Sequence, residues 1–132
     1  MSVVTVKIQR LRQAPRKVRL IIDLVRGLRV AQARQQLAVL SKRAALPVNK
    51  LLASAAAAAK SQGLDGDALW IKTVSCDQGT ALKRRRLNSR GRASLVKKFY
   101  SHVTLTVSDE ARQSPNVKAK MSSPSQKSKS KI

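Results

Sequence analysis

The residues with the clearest chemistry are the cations of a short segment in the second half of the chain. Half of the sixteen residues from 83 to 98 are Lys or Arg, and none is Asp or Glu. Arginine donates paired hydrogen bonds to phosphate and lysine supplies a mobile positive charge, so this density predicts contact with a polyanion such as nucleic acid. The candidate ligands are Lys83, Arg84, Arg85, Arg86, Arg90, Arg92, Lys97 and Lys98, with Asn88 as an added hydrogen-bonding side chain.

Gly91, within the same segment, has two readings. It supplies a positive φ angle at a turn, or it lets the backbone approach a phosphate closely. Both readings predict that a larger residue is not tolerated there.

A second set of cations lies in the first third of the chain. Arg16, Arg19 and Arg26 recur at intervals of three and seven residues, which places them on one stripe of a helix. Such a stripe contacts RNA phosphates or is an ordinary solvated helix face. The other candidates for nucleic-acid contact are Arg10, Arg12, Lys17, Lys42 and Arg43.

The remaining reactive residue types do not form a catalytic or metal-binding set. Ser101, His102 and Asp109 are the types found in a hydrolytic triad, but adjacent strand residues point to opposite faces, so Ser101 and His102 do not converge. Asp65 and Asp67 lie in a glycine-containing turn without the other ligands of a calcium loop. No glycine-rich nucleotide-binding loop occurs. We therefore expect no enzyme activity and no cofactor.

The overall composition also favours a polyanionic partner. The 132 residues include 28 Lys and Arg against 6 Asp and Glu, so the formal net charge is +22. Hydrophobic residues make up 42% of the chain, which is enough for one core and excludes a purely disordered basic tail. The chain contains one Trp, one Tyr and one Phe, so recognition of unpaired bases by aromatic stacking is disfavoured.

Cysteine content and hydropathy indicate a cytoplasmic protein. One cysteine, Cys76, and one histidine, His102, provide neither an intramolecular disulfide nor a four-ligand zinc site. The longest apolar run covers residues 51–59, far short of the roughly 20 residues of a membrane helix. The N-terminus carries neither a secretory signal nor an import leader. We expect no membrane partner.

Hydrophobic periodicity predicts the elements that position the cations. Apolar residues alternate over residues 3–10, which predicts a strand. Helical spacing then runs from Pro15 to Gly27, and it continues over residues 30–40 as a second helix. Ser41 is a candidate cap for a third helix. Pro47 lies beyond the first turn of a helix that starts there, so we expect a bend or a late start.

The cationic segment lies between two more predicted strands, residues 69–77 and 99–107, which we expect to pair. If they continue outward as a hairpin over residues 79–98, an arm of about ten residues extends roughly 30 Å from the sheet. The arm has almost no apolar face and its charges repel, so a polyanion must hold it. We expect one globular domain over residues 1–110, followed by a basic disordered tail over residues 111–132.

Five segments, taken in order, resemble the large-subunit ribosomal protein family twenty-two. They read APRKVRLIIDLVRG, KRAALPVNKLLASAAAAA, LWIKTVSCDQG, LKRRRLNSRGRAS and SHVTLTVSD. The resemblance covers about residues 3–110; where the family usually has Pro-Arg in the hairpin tip, this chain has Leu87 and Asn88. It implies an α+β fold: a three-stranded antiparallel sheet packed on three helices, with a long protruding basic β-hairpin.

The resemblance also implies a function. Members of the family are structural constituents of the large ribosomal subunit in the cytoplasm, and they bind its RNA and support its assembly. Their expected partners are large-subunit ribosomal RNA, neighbouring large-subunit ribosomal proteins and, at the hairpin tip, the nascent polypeptide in the exit tunnel. Macrolide antibiotics bind close to that tip.

Two other classes of protein, and one local motif, share part of this pattern. A basic, nucleoid-associated DNA-architectural protein has similar charge and a protruding ribbon arm, and a symmetric dimer would favour that reading. A cationic membrane-surface protein needs bulky apolar residues beside its charges, and the basic segment has few. The run Lys83 to Arg86 alone also matches a nuclear import signal.

Overall fold

A three-stranded antiparallel sheet forms one layer of the molecule, and three helices cover one of its faces. The computed structural model describes residues 2–110, and the predicted tail over residues 111–132 lies outside the described residues. The elements are β1 (Val3–Leu11), α1 (Pro15–Val25), α2 (Val30–Val39), α3 (Ala45–Ser61), β2 (Trp70–Gln78), β3 (Leu82–Leu87), β4 (Ala93–Lys98) and β5 (Ser101–Ser108). The predicted α+β architecture is confirmed.

β5 is the central strand of the sheet, with β1 on one side and β2 on the other. Both neighbours are antiparallel to it, so the predicted pairing of the two later strands is confirmed. Val103, Leu105 and Val107 are almost completely buried against the helices, while the intervening threonines are half-buried on the other face. The alternation of apolar and polar residues in β5 therefore correctly predicts which of its faces is buried.

α1 has the boundaries that its sequence predicts. Pro15 is its first residue, where the missing N–H is not needed, and Val18, Ile22 and Val25 are fully buried. Gly27 follows with a φ of +79°, a left-handed conformation that glycine adopts without steric cost.

The predicted cap of the third helix is wrong. α3 begins at Ala45 after the N-cap residue Ala44, which makes no side-chain cap hydrogen bond, so Ser41 lies outside the helix. The cause is Pro47, whose ring would clash with the carbonyl of Arg43 in a helix that started earlier. Because the helix starts late, Pro47 lies in its first turn and causes no break.

The hairpin is a separate two-stranded sheet of β3 and β4 that continues outward from β2 and β5. The N–H of Gly79 donates to the carbonyl of Tyr100 at 2.7 Å, which carries the pairing across the junction. A Cβ atom at Gly79 would lie 2.9 Å from Nε2 of His102 and 3.3 Å from the carbonyl oxygen of Tyr100, so a larger residue at the junction would require the His102 ring to shift. Every residue from 82 to 99 is exposed, as expected for a projecting arm.

None of the helices within residues 2–110 is both long enough and apolar enough to cross a bilayer.

Candidate nucleic-acid interface

The strand register of the hairpin brings like charges together. Lys83 lies directly opposite Lys97, and Arg84 and Arg85 lie opposite Val96 and Leu95. Residues opposite one another share a face, so each face of the ribbon mixes cations with exposed apolar side chains. Like charges opposite each other destabilise a strand pair, and no acidic residue lies in the arm to offset them. The hairpin presents its cations on both exposed faces, and no carboxylate of the arm neutralises them.

The tip of the hairpin is closed by a tight turn. Arg90 and Gly91 both have left-handed backbone angles, with φ of 59° and 67°, as both central residues of a type I′ hairpin turn require. The N–H of Asn88 donates to the carbonyl of Arg92 at 2.7 Å, and its side-chain amide donates to Oγ of Ser94 at 3.2 Å. The positive φ expected at Gly91 is present, and a Cβ there would meet nothing within 4 Å. The turn thus leaves its backbone open to a ligand.

On α1, the three arginines of the predicted stripe do not have equivalent surroundings. Nε and Nη2 of Arg19 donate to the carbonyl of Cys76 at 3.2 and 3.0 Å, and Nη2 of Arg26 donates to the carbonyl of Val74 at 3.2 Å. Both carbonyls are on β2, which is an edge strand. Arg19 and Arg26 therefore cover the outer edge of the sheet, and Nη2 of Arg26 also lies 3.3 Å from Oδ1 of Asp23. Arg16 is exposed near the start of the helix.

The other end of the β2 edge is covered by the segment between α1 and α2. The N–H of Val30 donates to the carbonyl of Leu69, and the N–H of Ile71 donates to the carbonyl of Leu28, both at 2.9 Å. The guanidinium of Arg29 lies over the ring of Trp70, 5.0 Å from its centroid. Sequence reasoning missed this edge protection, because only the pairing of β2 shows which carbonyls are free.

The structure brings five of the predicted cations together around one groove. The groove has a volume of about 700 Å³ and lies between α1, the segment before α3 and the base of the hairpin. Its cations come from four parts of the chain: Arg12, Lys17, Lys42, Arg43 and Lys98. All five are exposed, and no acidic side chain lines the groove.

The apolar lining of this groove is the functional feature that the sequence analysis missed. Leu20 is 72% exposed and Leu24 is 53% exposed, and both line the groove together with Phe99. A signal was present in the sequence. The two leucines lie outside the buried stripe of α1, so they are apolar residues on the face predicted to be polar.

Arg10 lies apart from the groove, in a bulge of β1 where the pairing with β5 shifts. Its φ is 54°, and its N–H donates to Nδ1 of His102 at 3.1 Å. The bulge holds the ring of His102 at the base of the hairpin and leaves the Arg10 side chain exposed.

The acidic residues and the cysteine considered as reactive groups make contacts that stabilise the fold or are buried within it. Oδ1 of Asp65 accepts the N–H of Asp67 at 3.4 Å, which closes a turn, and Asp67 lies 4.0 Å from Nη1 of Arg34. Cys76 is buried, and that burial raises the pKa of its thiol despite the nearby Ser101 and Arg19. In the part of the chain that the structure describes, no three His, Cys, Asp or Glu side chains are grouped to hold a metal ion.

We expect the free protein to show two levels of amide protection. The hairpin amides from 82 to 98 should exchange rapidly without RNA, because the arm is exposed and its like charges repel, whereas Val103, Leu105 and Val107 should exchange slowly. Hydrogen–deuterium exchange with mass spectrometry measures both. Strong protection of residues 83–92 in the absence of RNA would show that the arm stabilises itself.

Comparisons with known proteins point to one family. A family model described as Ribosomal protein L22p/L17e matches residues 6–108. The large ribosomal subunit protein uL22 of Mesoplasma florum is 48% identical over 101 residues, which are 76% of this chain and 90% of that protein. The corresponding protein of Pelobacter propionicus is 44% identical over 104 residues, or 78% of this chain and 94% of that protein. That of Thermus thermophilus is 43% identical over 100 residues, or 75% and 88%.

Proposed function

Because the chain belongs to the ribosomal protein L22p/L17e family, whose members are structural components of the large ribosomal subunit, we propose that it binds large-subunit ribosomal RNA through two surfaces. The first, here called the body surface, comprises α1 and the loop before α3, with the cations Arg16, Lys17, Lys42 and Arg43. The second is the hairpin of β3 and β4 with its tip. The chain acts as a structural protein in the ribosome, where large-subunit RNA and neighbouring ribosomal proteins surround it.

The observation that carries this proposal is the exposed hairpin. Its residues are exposed on both faces, Lys83 lies opposite Lys97, and no carboxylate in the arm neutralises them. An isolated two-stranded ribbon is marginal in water, and repulsion between its own cations weakens it further. RNA phosphates on both sides of the ribbon would neutralise these cations and hold the arm extended.

The body surface differs from the hairpin, because the backbone that carries its cations lies next to the hydrophobic core. Arg16 and Lys17 occupy the first turn of α1, whose inner face is fully buried, and Lys42 and Arg43 precede the buried residue Ala44. Because the backbone that carries these cations is already ordered in the free protein, contacts with phosphates at these positions would determine the register of the protein on its RNA. We infer that the body anchors the protein and that the hairpin reaches into the surrounding RNA.

The resemblance to tunnel-lining proteins extends this proposal to the tip. We infer that the turn at Arg90 and Gly91 lies at the wall of the polypeptide exit tunnel, where it contacts the nascent chain. Two features support this inference: the arm projects beyond the three-stranded sheet with every residue from 82 to 99 exposed, and its tip is a narrow turn that ends in exposed polar side chains.

We expect the affinity of the protein for large-subunit RNA to fall steeply as salt rises. Each phosphate that the protein neutralises releases counterions and contributes a slope of ~0.7 to 0.9 in log K against log salt concentration. With ten neutralised phosphates, the affinity would fall by a factor of about 10⁴ to 10⁵ between 50 and 200 mM salt. Filter binding to transcribed large-subunit RNA measures the slope, and a flat response would contradict phosphate contact.

Sedimentation of the tagged chain in cell lysate then tests the site of action. We expect it to migrate with large ribosomal subunits at moderate salt. Migration with chromosomal DNA instead would overturn the proposal in favour of a DNA-architectural protein.

A further inference from the structure

The groove beside α1 has an apolar floor that the core of the protein does not explain. α1 already buries Val18, Ile21, Ile22 and Val25 against the sheet. Leu20 and Leu24 are additional, one turn apart on the outer side, and both are more than half exposed. Exposed apolar surface gathered in a concave site, rather than scattered singly, marks a place where a ligand or partner packs.

The rim of the groove restricts the kind of occupant. Five Lys and Arg side chains surround the floor, and no Asp or Glu lines it, so the occupant must be anionic. It must also present a flat or apolar part to the leucines. Double-helical RNA satisfies only the first condition, because its bases are stacked inside the helix and its outer surface is phosphate and sugar.

The aromatic residues of the groove further restrict the kind of occupant. Phe99 and Tyr100 are two of the three aromatic residues in the sequence, and both line this groove at the base of the hairpin. The low aromatic content disfavours base stacking as a general mode of binding for this chain. Placing two of the three rings beside exposed leucines and cations nevertheless concentrates that capacity at one point. Proteins bind unpaired RNA bases by this combination of ring, apolar surface and cation.

We propose that the groove holds an unpaired nucleotide of the large-subunit RNA, with its base against Leu20, Leu24 and Phe99 and its phosphates on the rim cations. The volume of about 700 Å³ is within the range of sites that enclose small molecules, so a nucleotide with its flanking phosphates is a suitable occupant. This inference rests on the proposed function and goes beyond it, because it names one place where the protein reads an unpaired base and not only phosphate charge. An acidic peptide of a neighbouring protein is the competing occupant.

Site-specific photocrosslinking distinguishes these occupants. The photoreactive residue benzoylphenylalanine replaces Leu20 in the full chain, and large subunits that contain this chain are purified and irradiated. We expect a crosslink to the RNA, seen as a primer-extension stop at a nucleotide outside the base-paired helices. A crosslink only to a ribosomal protein, only to paired nucleotides, or to nothing in fully occupied subunits would overturn the proposal.

Binding measurements give an independent test that separates this inference from the proposed function. The double variant Leu20→Gln with Leu24→Gln keeps helix propensity and every cation, so the fold and the salt slope should be retained. We expect its affinity for transcribed large-subunit RNA to fall about tenfold at fixed salt, as the loss of a stacked base implies.

The matched control is Leu46→Gln, which makes the same change at a leucine that is 63% exposed on α3 and does not line the groove. Its affinity should stay within about twofold of that of the unaltered chain. If the double variant also stays within twofold while the salt slope remains steep, the groove inference fails and the proposed function stands. If the unaltered chain shows no salt-dependent RNA binding, both fail.

Discussion

A chain in which Arg16, Lys17, Lys42 and Arg43 are all changed to Glu is expected to be almost absent from large ribosomal subunits. The change lowers the net charge of the body surface by eight units. Carboxylates repel RNA phosphates at the positions where cations attract them. Four lost phosphate contacts alone correspond to roughly a hundredfold weaker binding at cellular salt. Quantitative mass spectrometry of subunits from cells that also express the unaltered chain measures the occupancy.

The choice of these four residues follows from the structure. They are exposed, whereas Arg19 and Arg26 also donate to carbonyls of β2, so reversing those two would open the sheet edge as well as weaken RNA binding. A control with the same change in net charge reverses Lys7, Lys50, Lys60 and Lys72, which are exposed cations outside the predicted interface. Equal loss of incorporation in the control would mean that total charge, and not the body surface, governs attachment.

The second prediction concerns a shortened hairpin. Arg84 pairs with Val96 and Arg85 pairs with Leu95, so deleting these four residues removes two rungs and leaves the tip and the base in register. Because two residues are removed from each strand, every remaining side chain keeps its face. The arm becomes about 7 Å shorter. We expect full incorporation into subunits, because the body surface is intact, together with an altered response to macrolides and altered passage of stalling nascent chains.

Cells that carry the shortened chain as their only copy allow both measurements. The matched control is Arg84→Ala with Arg85→Ala, which removes the same two cations at unchanged length and should leave both tunnel properties closer to those of the unaltered chain. The division between anchor and tip is contradicted if shortening prevents incorporation as completely as the body reversals do. If macrolide response and nascent-chain passage are both unchanged at full occupancy, the inference that the tip lies at the tunnel wall is contradicted.

Local patterns in the sequence predict most of the fold. Pro15, the apolar stripe of α1 and Gly27 define a helix whose ends agree with the structure, and the alternation in β5 identifies its buried face. Ser41 shows where such reasoning fails, because a capping side chain is only a local preference and the backbone restriction of Pro47 overrides it.

The interface is only partly predictable, because its surfaces are assembled from distant segments. The hairpin cations fall within one sixteen-residue segment and are evident in the sequence. The groove combines Lys17, Lys42 and Lys98 from three separate segments, and no spacing rule joins them. The contacts of Arg19 and Arg26 with β2 depend on which strand lies at the edge, and that is a property of the sheet order.

The sheet order also determines when the chain can fold during its synthesis. Val3 in β1 pairs with Ser108 in β5, and β2 has β5 as its only neighbour in the sheet, so neither strand has its partner until the last of the described strands has been made. At a synthesis rate of ~5 to 20 residues per second, the Val and Ile side chains of β1 stay exposed for several seconds or longer before β5 is made. A chain truncated before β5 has no sheet on which α1 and α3 can pack. We therefore expect the packed helices of the proposed body surface to form only after β5 has been made.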